Sequence, residues 1–500
     1  MCASPFAPMK AITRRSFVFK SAAVVGTGAL AARGLRPTTW AAAVGANDAI
    51  RIGVIGLGGK GAQHARLLAK RPDTRVVALC DLDPAALARV KKNLEGAQVP
   101  PFATTDAREL LARADVDAVF VVTGNHWHAL LSVWACQAGK DVYVEKPMTH
   151  TVWEGRKLIE AAAKYRRVVQ VGTQYRSESG LAAGIKWLHA GGLGKLKYVH
   201  CPYLARRGPI GRRAPWYPAD VNYDLFCGPT PVVPLERDKL HYDWHWVWGT
   251  GNGEIGNNGV HLLDVARRIV RSEAPPRRVL GLGGRFGIDD SAETPNTQLA
   301  FYDYPEAPVI YEGRALPAKP DVNFSDAIHG TRVGVVAVCE GGYLAGLTGC
   351  AAYDPSGKVI EKFGGDGGGA THLNNFLAAV RSRRASDLAA PPEIGHGSAA
   401  LCHFGNISLR VGASAPPAQI ARALESMPVA GELARGVQAH LGVHGIDLAR
   451  QPLALGPWMD LDPSGDGIAK LDSGDPAALA RARYLLHETQ RPPFVIPEKV

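Results

Sequence analysis

The feature that most restricts this chain is a glycine-rich turn, Gly56-Leu57-Gly58-Gly59-Lys60-Gly61, set between a short apolar run and a helical pattern. The spacing predicts a strand over Arg51–Gly56 and a helix over Lys60–Arg71. In that setting Gly56 permits the tight turn, Gly58 and Gly59 let a pyrophosphate reach the backbone, and Gly61 allows close packing of helix on strand. The helix N-terminus then presents amide donors and a positive dipole end to phosphate. Twenty residues beyond Gly61, after a second strand at Arg75–Leu79, stands Asp81. A carboxylate there accepts hydrogen bonds from ribose hydroxyls and repels a 2′-phosphate, and Leu82 rather than arginine follows it. The expected cofactor is NAD.

The rhythm continues. Helices are expected at Pro84–Asn93, Asp106–Arg113, Trp127–Ala138 and Val152–Tyr165, alternating with strands at Ala118–Val122, Asp141–Val144 and Val168–Val171. Strands that are apolar throughout, rather than alternating, belong to a sheet covered on both faces, and β-α-β order makes it parallel. The fold class is therefore α/β, with a doubly wound Rossmann domain over residues 48–170. A chain of 500 residues exceeds one core, so a second domain follows. We assign residues 171–428 to an α+β domain for substrate and oligomerisation, and residues 429–500 to a C-terminal extension packed on the protein.

The net charge of +11 raises the question of nucleic acid. Six of the basic residues lie within residues 1–43, which hold no acid; without them the excess is only five, so nucleic acid is not implied. That same segment places Arg14 and Arg15 ahead of the short apolar stretch Ala22–Ala32 and the small residues Ala41–Ala43. The grammar resembles a twin-arginine export signal, so a periplasmic or exported mature protein beginning near Val44 is expected. No apolar run reaches the length of a membrane span. The eight cysteines show neither a Cys-x-x-Cys pair nor zinc-type spacing; no metal and no disulfide is expected. Asp460, Asp462, Ser464 and Gly465 match the opening of a calcium loop, but its closing position is Leu471, which leaves a plain acidic turn.

Two more loops lie at strand ends, where doubly wound sheets bind ligands. One carries Asn125-His126-Trp127-His128, the other Glu145-Lys146-Pro147. An ammonium at Lys146, near a nicotinamide ring, can stabilise developing alkoxide charge. Together with the glycine turn, with Gly172-Thr173-Gln174 and with the run Gly251–Arg267, these residues resemble the Gfo/Idh/MocA oxidoreductases. Arg491-Pro492-Pro493-Phe494 is similar to the closing segment of an exported branch of that family.

The resemblance implies an open mixed or antiparallel sheet in the second domain, a sugar or polyol substrate, and a dimer or tetramer. It implies cofactor contacts from Gly56, Gly58, Gly59, Gly61, Asp81, Asn125, His128, Glu145, Lys146 and Gln174, with Lys146 also catalytic. His261 matches the family's general acid/base. Many members carry Asp four residues before that histidine; this chain has Asn257, so the missing carboxylate could come from Glu254, from Asp264 or from elsewhere in the fold. On a helix Asp264 shares a face with His261.

Residues 205–258 are rich in aromatics suited to stacking a sugar, with Trp244 and His245 among the candidate substrate contacts. Arg206, Arg207, Arg212 and Arg213 form a basic loop, read mainly as solvated, from which Arg206 is a further candidate; His372, at a helix start, is another. The expected function is NAD(H)-dependent oxidation of a sugar or polyol hydroxyl with a tightly held cofactor. A redox-neutral glycoside hydrolase of the family 109 type and a non-catalytic sugar-binding protein are the alternatives.

Overall fold

Six short runs of aliphatic residues become the strands of one parallel sheet. The computed structural model describes residues 49–96 and 100–500; the expected export segment, residues 1–43, lies outside them. The sheet is built from β1 (Ile50–Ile55), β2 (Thr74–Cys80), β3 (Phe102–Thr104), β4 (Ala118–Val121), β5 (Asp141–Val144) and β6 (Val169–Val171). Between them run α1 (Gly59–Ala69), α2 (Pro84–Asn93), α3 (Ala107–Leu111), α4 (Asn125–Gln137) and α5 (Val152–Tyr165). Strand order is β3-β2-β1-β4-β5-β6, all parallel, the dinucleotide-binding order. β4 and β5 are buried at every position, which is why they read as unbroken apolar runs. Caps fix the helix starts: Asp83 accepts from Ala85 N at 2.8 Å, and Thr151 and Glu154 form a reciprocal capping box on α5.

The second domain begins with α6 (Ser179–His189) and β7 (Leu196–Leu204), followed by a long excursion holding the short α7 (Tyr223–Cys227), then α8 (Val260–Ile269). Strands β8 (Arg278–Gly284), β9 (Thr297–Tyr302), β10 (Val309–Arg314), β11 (Val335–Cys339), β12 (Gly342–Leu347), β13 (Gly349–Tyr353) and β14 (Val359–Phe363) come next. After them come α9 (Gly369–Ser382), α10 (Pro392–Arg410), β15 (Ala413–Ala415), α11 (Pro417–Ala423), α12 (Pro428–Val443), β16 (Leu453–Leu455), β17 (Met459–Leu461), β18 (Ile468–Leu471) and α13 (Pro476–Leu485). The sheet runs β14-β13-β12-β11-β7-β10-β9-β8-β16-β15, with β17 paired to β8 and β18 to β17. Among the described residues only β7 and β10 pair in parallel in this sheet, so it is mixed as expected.

The linear division into three segments does not survive in space. β17 pairs with β8, so the C-terminal extension is part of the second sheet rather than a layer laid on it. Leu373, Phe376 and Leu377 of α9 pack in the Rossmann core with Phe120 and Tyr143, and Phe494, Ile496 and Val500 pack against its other face. The described residues fall in one compact unit. None of their helices is long and apolar enough to cross a membrane. The seven described cysteines are buried and unpaired.

Candidate active site

The glycine turn leaves β1 with Gly56 at φ +88°, where a Cβ would lie 2.2 Å from the Val122 carbonyl oxygen. A Cβ on Gly61 would lie 1.8 Å from Gly56 O, which is the close helix–strand packing expected of that glycine. At Gly58 and Gly59, by contrast, a Cβ would meet nothing within 4 Å. The turn is tight where it touches protein and open where a diphosphate would lie. Asp81 ties this loop to β2, accepting from Leu57 N at 2.5 Å through Oδ2 and from Asp83 N at 2.9 Å through Oδ1.

From Gly58 and Asp81 a cavity of about 690 Å³ runs past Asn125 and Glu145 to Lys146, Asn257 and His261. Asn125 Oδ1 is buried there with no protein partner, an acceptor left for a ligand. His128 braces two cavity loops, one ring nitrogen 2.7 Å from Pro147 O and the other 3.1 Å from Thr123 O. Glu145 lies 3.0 Å from His64 Nε2 on α1. Burial opposes ionisation of Glu145, yet the His64 hydrogen bond and the charges of His64, Lys60 and Lys146 bring it down to about 2. It enters the site as a carboxylate.

Lys146 follows at the end of β5. Its Nζ donates to Asn257 O at 2.5 Å and reaches Asn257 Oδ1 at 3.4 Å. Asn257 sits in a π-helical turn, Ile255–Gly259, that leads into α8, a widened turn of the kind often found at functional positions. Glu254 behind it accepts from Asn257 Nδ2 at 3.3 Å and from Asn258 Nδ2 at 2.5 Å, which fixes the Asn257 amide with its oxygen toward Lys146. Burial lowers the Lys146 pKa, with Glu145 and Glu254 working against that shift.

His261, one turn on, lines the cavity and stands edge-on to Tyr175 at 5.0 Å between ring centroids. Burial, helped by the Lys146 charge, takes it down to about 3, so the imidazole is neutral and able to accept a proton. Its Nδ1 is buried without a partner. His245, stacked on Trp244 at 3.6 Å, lines the same end, and burial likewise lowers it to about 3. Gln174 joins them from the 3₁₀ turn after β6.

Four expected site residues stand elsewhere. Asp264 does not orient His261: its Oδ1 accepts from Arg176 Nε at 2.8 Å and Ser398 Oγ at 2.7 Å, because a fully buried carboxylate is better served by a guanidinium than by a neutral ring. His372 is buried between Ser177 Oγ and Val171 O, both at 2.8 Å, and holds α9 to the sheet. Arg206 is exposed and bonded to Asn323. Glu254 stays behind the cavity wall, held by Arg207 through bonds of 2.7 and 3.1 Å.

Arg207 is the residue that sequence reasoning placed in solvent and the fold places in the site. It lines the cavity, bonded to Glu254 and to Tyr203 Oη at 2.9 Å. Burial works against its charge, but the Glu254 hydrogen bond raises its pKa overall. No spacing signal connects Arg207 with Glu254, so their pairing is visible only once β7 and the π-helical turn are side by side.

Strand order, glycine turn and the carboxylate at the end of β2 define a dinucleotide-binding Rossmann protein. Residues 50–173 match the model of the Gfo/Idh/MocA oxidoreductase family, described as having an NAD-binding Rossmann fold. The chain is 34% identical over 167 residues to inositol 2-dehydrogenase 4 of Saccharopolyspora erythraea, covering 33% of this chain and 48% of that protein. It is 30% identical over 244 residues to a glycosyl hydrolase family 109 protein of the same organism, covering 46% of this chain and 48% of that one. The alignments thus span about half the length of these relatives. In fold the chain is similar to the WlbA dehydrogenase of Bordetella pertussis in complex with NADH and UDP-GlcNAcA (TM-score 0.53, 18% identity, 71% of this chain and 94% of that chain). It is also similar to an oxidoreductase domain protein of Kribbella flavida (TM-score 0.53, 19% identity, 72% and 96%).

Proposed function

We propose that the protein is an NAD(H)-dependent oxidoreductase acting on a hydroxyl of a sugar or polyol. The observation that carries this reading is the convergence of Lys146, Asn257 and His261 at one end of a cavity whose other end is the glycine turn and Asp81. The open space at Gly58 and Gly59, the unpartnered Asn125 Oδ1 and the Asp81 carboxylate fit a dinucleotide. Bound NAD would supply a hydride acceptor. The Lys146 ammonium would stabilise negative charge on the substrate oxygen, and neutral His261 would take its proton. Trp244 and His245 would stack and position the ring.

Of the two alternatives, the redox-neutral hydrolase has support in the 244-residue similarity to a family 109 protein. One sugar panel separates it from the leading reading: NADH formed from free sugars or polyols supports the dehydrogenase, whereas glycoside cleavage without net NADH supports the hydrolase. Neither reaction on any member would overturn both.

The export signal bears on the cofactor. Residues 1–43, with Arg14-Arg15 and Ala41–Ala43, support periplasmic delivery by a route that carries folded proteins. Outside the cytoplasm no NAD pool exists for exchange, so we read the cofactor as retained through the whole cycle. The bound NADH would be reoxidised by a second, carbonyl-bearing sugar that is reduced in turn, or by return of the hydride to the same substrate in a redox-neutral cycle. Purified protein is expected to carry nicotinamide through dialysis and to turn over without added NAD when such a sugar or sugar pair is present. A mature N-terminus away from residues 41–46 would remove the export part of this reading. Assembly into a dimer or tetramer is part of the proposal and is tested by light scattering.

A further inference from the structure

Between β7 and α8 the chain leaves the second sheet and runs back over the Rossmann domain. Along residues 221–246 it lines the same cavity as the glycine turn: Val221, Leu225, Phe226, Leu240 and His241 face the space bounded on the other side by Gly58, Asp81 and Arg108. Asp81 marks that end as the place of the adenosine ribose. A Rossmann domain alone leaves this end open to solvent; here the chain supplies a second wall.

The wall is held at two places. Near Phe226, Trp127 Nε1 donates to Leu225 O at 3.0 Å and Phe226 O at 3.2 Å, and a His126 ring nitrogen lies 2.8 Å from Phe226 O. Arg491 Nε donates to Gly228 O and Thr230 O at 3.0 and 3.1 Å, and Phe494 packs edge-on to Trp127. This end is a buried, many-bonded anchor. At the far end a His150 ring nitrogen lies 2.9 Å from Trp248 O and the other His126 ring nitrogen 3.2 Å from Thr250 O. Between these two ends an exposed contact crosses to the Rossmann domain: His241 Nε2 to Asp83 Oδ2, 2.9 Å, with the His241 side chain 59% exposed. Asp83 is two residues beyond Asp81 and caps α2.

We infer that residues 221–246 form a strap that binds the adenosine half of the dinucleotide, closed by the His241–Asp83 contact, and that this strap is what retains the cofactor between turnovers. The inference rests on the proposed NAD reading. Two anchored ends and one weak contact between them give a wall that flexes at its middle rather than detaches, letting the dinucleotide load once and leave slowly.

The test measures release of NADH by its fluorescence on dilution into excess NAD, with the parent and three latch variants. His241→Ala removes the contact and is expected to speed release about fivefold, the scale of one exposed ion pair. His241→Asp sets two carboxylates against each other and is expected to exceed that. His241→Lys keeps a hydrogen-bond donor opposite Asp83 and is expected to stay near the parent. Because His241 is exposed, a melting curve for each variant is expected to match the parent, which separates latch loss from unfolding. Nicotinamide mononucleotide, which lacks the adenosine half, is expected to bind parent and variants equally. In hydrogen exchange, NAD should protect amides within residues 221–246. If NAD binds but release is the same in all four proteins and the strap gains no protection, the strap inference is wrong and the oxidoreductase reading stands. If the protein binds no dinucleotide, both fall together.

Discussion

Lys146 Nζ donates to the backbone carbonyl of Asn257 at 2.5 Å, so the nicotinamide end of the cavity is closed by a bond between the Rossmann domain and the second domain. The partner is an amide and a carbonyl, not a carboxylate. Lys146 is thereby a buried ammonium held by dipoles, and its pKa is lowered from the usual lysine range, chiefly by burial.

Activity that depends on this ammonium is lost as pH rises through its lowered pKa. Asn257→Asp would add a negative charge beside Lys146, stabilise the ammonium and move that alkaline limb to higher pH. Lys146→Ala is expected to lower turnover about a hundredfold or more. A pH–rate profile of Asn257→Asp with an unmoved alkaline limb would remove Lys146 from the chemistry.

His261 and Asp264 are three residues apart on α8 yet belong to different jobs, and variants should separate them. His261→Ala is expected to lower turnover about a hundredfold with little change in melting temperature. Asp264→Asn leaves Arg176 buried without its charge partner and is expected to cost about 3 kcal/mol of stability while the folded enzyme keeps most of its turnover. Denaturation curves beside initial rates check both, and a hundredfold loss in folded Asp264→Asn would restore the orienting role that the geometry denies it.

Asp81 carries the cofactor choice. NAD is expected to bind about tenfold more tightly than NADP, a difference of about 1.4 kcal/mol. Asp81→Ser should narrow that ratio; since Asp81 also holds Leu57 N, both affinities should fall somewhat. Fluorescence titration with NADH and NADPH reads the ratio directly, and equal affinities in the parent would exclude the assignment.

Glu145 sets an acid limit on stability. Its folded value, about 2, lies below the ordinary value of 4.5, so folding is favoured when it is ionised. That contribution is complete above about pH 4.5 and is lost as pH falls toward 2. Glu145→Gln is expected to be less stable at neutral pH and to lose less stability over that acid window. Urea midpoints taken at several pH values decide it.

The Rossmann half was legible because its physics is local. Continuous apolar strands, a turn that only glycine fits and an acid at a strand end all announce themselves within thirty residues, and only the short β3 escaped. The second domain was less legible: its mixed sheet was expected only from the family resemblance, and β15 and β16 are three residues each, β16 lying on the edge of β8 and β15 on β16. In the site, Lys146, Asn257 and His261 could be placed from their motifs. Arg207 with Glu254, His64 with Glu145 and His241 with Asp83 could not, since each pair joins segments that only the fold makes neighbours. Asp264 failed for the opposite reason: helical spacing brought it near His261, but a stronger buried partner took its carboxylate.

Residues 491–500 close the Rossmann core and pin the strap, with Lys157 bonded to Glu498 O and Arg491 to Asp224. The Rossmann core is therefore sealed by a segment far away in sequence, 341 residues on at the Lys157–Glu498 bond. Removal of residues 491–500 would present an apolar groove beside Trp127 and leave the strap without its Arg491 bonds. The wall around the dinucleotide is thus assembled from distant parts of the chain, and a Rossmann segment lacking residues 491–500 would be told apart from the full chain by the apolar surface it exposes.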